Sequence, residues 1–210
     1  MQIELLKVWT RVAALSLAAT LFAVVFVDSS VANYCVRGLP FPVLYQDAPS
    51  SLLIAGVLAV GMAGIAIYCL SIWDVPRWAQ AVLLSGIAAV ASLYLTERLV
   101  KPLFSRPDPI TYVYHLRHTF GWYSPNLVIS SFPSTHAALG AAAISVLGLY
   151  FPRLRFAGVV VVVVIDTLLV LGSWHFVSDV IAGSLLGFTI ALIAYSAVET
   201  LKKRAHRPSN

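Results

Sequence analysis

The sequence is poor in charge: of 210 residues, 14 are Lys or Arg and 9 are Asp or Glu, against 60% hydrophobic residues. That balance excludes an ordinary water-soluble domain, where about a quarter of residues are charged. Cysteine is nearly absent. Cys35 and Cys69 are the two present, and the spans described next place them toward opposite sides of a hydrocarbon core of about 30 Å, too far apart for a disulfide. Histidine is sparse as well, and none of the five has another four residues away, the spacing that sets two imidazoles on one helical face. No zinc site is therefore indicated. The chain has no soluble segment, low-complexity tract or internal repeat. A net charge of +5 does not by itself imply nucleic acid, because here the position of each charge relative to a membrane decides its meaning.

What is abundant is long apolar runs. A membrane-crossing helix needs about 20 of them, and that rule predicts an all-α polytopic bundle of about six transmembrane helices, near 8–27, 51–73, 78–100, 134–151, 156–173 and 175–200. The Pro-rich stretches at 38–42 and 102–109 fall between spans as loops. Residues 1–210 read as a single transmembrane domain. With cytoplasmic termini, most basic residues lie inside: Lys7, Arg11, Arg77, Arg153, Arg155 and the run from Lys202 to Arg207. Arg98, Lys101, Arg106 and Arg117 then cluster outside, against that bias, with Arg37 apart from them. The first span admits a second reading, a signal peptide cut near Ser30-Val31-Ala32, which would leave five spans in the same orientation.

Ionisable residues at the edge of a membrane bundle are expensive to keep and so point to function. Three segments meet at the predicted outer face: Arg98 to Pro107, Ser131 to His136 opening the fourth span, and Gly172 to Asp179 opening the sixth. His175 and Asp179, four apart, would stack on one helical face, the carboxylate accepting a hydrogen bond from the imidazole and leaving the other ring nitrogen as a nucleophile. His136, at the same depth on another helix, would protonate a leaving oxygen. The two helix starts, with Ser134, Lys101 and Arg106, form an anion site suited to phosphate. Arg98 is a further candidate, or a partner of Glu97.

Pro133-Ser134-Thr135-His136 followed by His175-Phe176-Val177-Ser178-Asp179, with an upstream Lys and Arg-Pro, resembles the type 2 phosphatidic acid phosphatase superfamily over residues 101–183. The resemblance implies a six-helix bundle, His175 as nucleophile forming a phosphohistidine, Asp179 as its orienter, His136 as general acid, and no metal cofactor. It also implies that Ser134, Thr135 and the basic residues hold the phosphoryl oxygens. The sequence departs from the pattern of a Lys, six residues and Arg-Pro: Leu99 stands where the Lys belongs counting back from Arg106, and Asp108 where the Arg belongs counting forward from Lys101. Leu169 replaces an Arg six residues before His175. That loss, with the aromatic Phe176 after the His, is similar to the branch containing sphingolipid phosphotransferases.

Blander readings stand beside these. Ser134 also reads as a helix N-cap, Lys101 and Arg106 as interfacial snorkelling residues, and His115, Arg117 and His118 among nearby Tyr and Trp as an interfacial belt. Asp166, deep in the fifth span, has no partner legible in sequence. Haem held by His136 and His175 would leave Ser134 and Asp179 unexplained. The expectation is a membrane hydrolase acting on a lipid phosphate, such as a polyprenyl diphosphate or phosphatidic acid, at the extracytoplasmic face. Its alternatives are a lipid phosphotransferase and, in another class, a small transporter or scaffold whose charges line a path.

Overall fold

The computed structural model of the chain describes residues 2–39, 75–115, 121–122 and 130–205. In order these form α1 (Gln2–Phe22), α2 (Asp28–Gly38), α3 (Arg77–Leu95), α4 (Pro109–Tyr114), α5 (Thr135–Tyr150), α6 (Arg155–Leu171) and α7 (Val177–Ala205). Two short strands, β1 (Phe104–Ser105) and β2 (Gly121–Trp122), pair antiparallel in the connection after α3. The predicted span at 51–73, with Cys69, lies outside the described residues. So do Arg117 and His118.

The protein is an all-α, multi-pass membrane protein. Among the described residues four helices are long and apolar enough to cross a bilayer: Ile3–Gly38, Arg77–Leu103, Pro152–Leu171 and Val177–Arg204. The starts and stops follow local chemistry. Pro76, which lacks an N–H, precedes the first residue of α3, and Asp108 caps α4 by accepting from Thr111 N at 3.0 Å, with Pro109 in the first helical position. Ser134 caps α5, which ends at Tyr150 because Phe151-Pro152 cannot continue it.

The first helix departs from expectation. It continues past residue 27 through a π-helical turn, Ala23–Val27, into α2, so that the polar run Asp28-Ser29-Ser30 remains helical. A π turn inserts one residue and rotates the following face by roughly 100°. A second such turn, Thr96–Val100, ends α3 just before Lys101. Both distortions lie where the chain enters the site.

The short α5, about 24 Å long at 1.5 Å per residue, is the central helix and packs on α3, α6 and α7. Its contacts are built from small residues: Ala81 and Ala88 of α3, Ala142 and Val146 of α5 and Ala191 of α7 share one buried cluster. Gly183 and Gly187, a G-x-x-x-G pair on α7, let it lie against the backbone of α5. A Cβ at Gly183 would collide with the Ser134 carbonyl, and one at Gly187 with the Ala138 carbonyl and, at 2.8 Å, with Ala142 N. Lipid supplies no hydrophobic drive between helices, so such close approach is what holds them. α6 buries Leu169 alone and exposes Phe156, Val159, Val163 and Leu168, a surface suited to acyl chains.

At one end of the bundle Arg77 donates to Tyr150 O at 2.7 Å, Arg155 to Gly148 O at 3.1 Å and Lys202 to Gln80 Oε1 at 2.7 Å. The starts of α5 and α7 lie at the other end.

Candidate active site

α6 stops at Leu171, and the turn into α7 runs through Ser173, whose φ of 61° is in the left-handed region. Leu169 O accepts from Trp174 N at 3.1 Å and His175 N at 3.4 Å, which folds the turn back on α6. His175 therefore precedes α7, whose first residue is Val177, and does not stack on a helical face with Asp179 as the spacing predicts. The two remain neighbours, with His175 Nδ1 3.6 Å from Asp179 Oδ2, ion-pair range but longer than a hydrogen bond. The reason is competition: Asp179 Oδ2 accepts Phe176 N at 2.9 Å, and Oδ1 accepts from Arg106.

His136 lies in the first turn of α5, behind the Ser134 cap, whose Oγ accepts from Ala137 N at 3.3 Å. Ser134 N also donates to Asp179 O at 3.0 Å, a direct tie between the starts of α5 and α7. Together with the close approach at Gly183, that tie brings the His136 and His175 rings to 6.4 Å between centroids, tilted by 56°.

The basic residues are arranged differently from the expectation of a set of free phosphate ligands. Arg106 is completely buried. Its Nη1 donates to Ser178 Oγ at 2.6 Å and to Asp179, its Nη2 to Asp28 Oδ2 at 2.6 Å, and its guanidinium lies 4.0 Å from the Phe176 ring centroid. Its segment is pinned by Ser131, which donates through N to Arg106 O at 2.9 Å and through Oγ to Pro107 O at 3.0 Å. Lys101 pairs with Glu97 Oε1 at 2.8 Å, and Thr135, also buried, donates its hydroxyl to the same oxygen. Arg98 and Leu99 are exposed. Of the two displaced pattern positions, Asp108 is a helix cap. Leu169 is buried against Ala137 and Val180, so an apolar side chain fills the place where the resemblance implies an Arg.

Asp28 carries no reading in the sequence, and Ser178 and Glu97 appear there only within the motif and as a partner for Arg98. Asp28 is fully buried, accepting from Arg106, from Ser178 N at 3.1 Å and from Ser178 Oγ. Ser178 bridges the two charges, and Glu97 organises Lys101 and Thr135. A signal for Asp28 exists, a carboxylate at the end of the first span, but a polar run after 20 apolar residues reads as the end of a helix. Asp166 accepts from Ser184 Oγ at 2.7 Å on the neighbouring helix, away from this cluster.

A family model described as the PAP2 superfamily matches residues 81–203, more than half of the chain. Among solved structures, the crystal structure of the first transmembrane PAP2 type phosphatidylglycerolphosphate phosphatase, from Bacillus subtilis, is similar to this chain. The identity is 20%, the TM-score 0.49, and the match covers 93% of this chain and 96% of that one. No curated protein matches the chain.

Proposed function

From the premise that this chain belongs to the PAP2 superfamily, we propose that it is a membrane phosphatase that removes phosphate from a lipid phosphomonoester or diphosphate at the extracytoplasmic face. The observation that carries this reading is the neighbouring pair His136 and His175, at the starts of two helices tied at the backbone, with Asp179 beside His175.

The chemistry follows from the positions. His175 Nδ1 faces Asp179, so Nε2 is the nitrogen left to attack phosphorus. The Nε2–P bond forms as the bond from phosphorus to the lipid oxygen breaks. The electron pair stays on that oxygen, which takes a proton from His136. Asp179 stabilises the positive charge that develops on the imidazole. In the second half a water attacks phosphorus, gives its proton to His136, and the P–N electron pair returns to His175. Lys101 and the N-terminal N–H groups of α5 are the groups proposed to stabilise the phosphoryl oxygens, with Ser134 holding that helix start and Thr135 holding Glu97. Arg98, exposed beside them, is proposed to contact the more distant headgroup charge. Arg106 acts on Asp179 and not on substrate.

Purified protein incubated with labelled lipid phosphates should release free phosphate without an added acceptor. His175→Ala should reduce turnover by at least about a thousandfold, the scale for a lost nucleophile, while the protein still elutes as a folded species. Unchanged turnover in that variant would favour a transporter or scaffold and defeat the proposal. A second reading, a phosphotransferase, is favoured by one observation: the buried Leu169 leaves an apolar wall where a cation would hold the phosphate. It predicts that transfer appears only when an alcohol acceptor is supplied.

A further inference from the structure

The match to the family ends on its N-terminal side at residue 81, yet a residue far outside it completes the buried cluster beneath His175. Asp28, Arg106 and Asp179 all have fully buried side chains. Two carboxylates share one guanidinium, and Ser178 fills the gap between them, receiving a hydrogen bond from Arg106 and donating one to Asp28. In a low-dielectric interior such a cluster persists only when its charges are paired and hydrogen-bonded. Asp28 closes it from α2, a helix that carries none of the residues proposed to touch substrate.

We propose that Asp28 is a positioning residue for the His175 nucleophile: it holds one side of Arg106, so that the guanidinium fixes the Asp179 carboxylate without neutralising it fully. The formal charges support this. Asp28, Arg106 and Asp179 sum to one negative charge, and the ring of His175 becomes cationic when it bonds to phosphorus. Asp179 is thus held at a distance from which it can offset that charge. Without Asp28, Arg106 pairs with Asp179 alone and neutralises more of its charge, so less is left to offset the imidazole cation. The π-helical turn at Ala23–Val27, which sets the direction of the residues after it, aims Asp28 at Arg106. This inference rests on the histidine-centred function proposed above.

The test uses the full-length protein in lipid vesicles. Asp28→Asn keeps the size and an acceptor oxygen but removes the charge. Turnover should fall by roughly tenfold to a hundredfold, the scale for an outer partner of a working histidine, with KM unchanged within about twofold. In an Asp179→Asn background the same change should lower kcat by less than about threefold, because the route to His175 is already cut. Equal losses in both backgrounds overturn the proposal, as does an effect confined to KM.

Should Asp28→Asn fail to fold, Ser178→Ala keeps all three charges and removes only the bridging hydroxyl. A kcat lower by about twofold to tenfold supports the proposal, and a wild-type value overturns it. A readout independent of turnover is modification by diethyl pyrocarbonate, followed by mass spectrometry. His175 should react more slowly in the variant that folds, while the exposed His115 reacts at its normal rate. An unchanged rate at His175 overturns the proposal. If the wild-type protein releases no phosphate but this difference persists, the phosphatase reading fails and the link from Asp28 to His175 stands.

Discussion

His175, His136 and Asp179 are legible in the sequence because ionisable groups in an apolar chain need a reason to be there, and their spacing supplies one. What the sequence does not show is how the remaining charges pair. Lys101 is held by Glu97 four residues earlier, with side-chain exposures of 15% and 38%, so a phosphate must compete with that carboxylate for it. Glu97→Gln keeps an acceptor for Thr135 and releases the charge. If Lys101 binds substrate, KM should fall by about twofold to fivefold, matching the 0.2–1 kcal/mol of a partly exposed ion pair. Steady-state kinetics with a lipid phosphate check this, and an unchanged KM removes Lys101 from the binding set. Arg106 illustrates the converse. Its position before Pro107 suggests a substrate ligand, but three acceptors and an aromatic ring enclose it.

At the scale of elements, the site depends on how closely α7 approaches α5. Gly183 and Gly187 permit the approach, and the Ser134 N to Asp179 O bond sets the register of the two helix starts. Gly187→Leu should force the helices apart, destabilise the protein by roughly 1–3 kcal/mol as overpacking does, and reduce turnover strongly by separating His136 from His175. Gly140→Ala on α5 is the control, because its Cβ meets only the Ile165 Cδ1 atom at 3.7 Å, an ordinary van der Waals contact. Thermal unfolding in detergent, measured with activity, separates the two cases. Equal behaviour of both variants would show that the α5–α7 approach does not control the site. The spans from 78 onward were readable to within a few residues, since apolar length and Pro punctuation are local properties. The end of the first helix was not, because Asp28 stays helical only by virtue of partners 78 and 150 residues away.

For the whole molecule, the basic residues contacting Tyr150, Gly148 and Gln80 gather at the end of the bundle opposite the histidines. The bias of Lys and Arg toward the cytoplasm then favours an extracytoplasmic site. In a variant with Cys35 and Cys69 replaced by Ser, His115→Cys should react with a membrane-impermeant thiol reagent on intact cells, and Lys203→Cys only after lysis. The reverse pattern would put the site inside.

The sequence by itself determined that this chain is an all-α membrane bundle, and its short spacings singled out two histidines and an aspartate at the starts of two helices. Those conclusions rest on composition, apolar length and short spacings, which are properties of neighbouring residues. The tertiary structure decided which charges are buried against one another. Arg106 is turned inward, Lys101 is paired, Leu169 fills a place where a cation is implied, and Asp28 arrives from the first helix to close the cluster under Asp179. These pairings depend on the relative rotation and depth of separate helices. Those are set by π turns and glycine contacts between distant parts of the chain, and no local pattern encodes them.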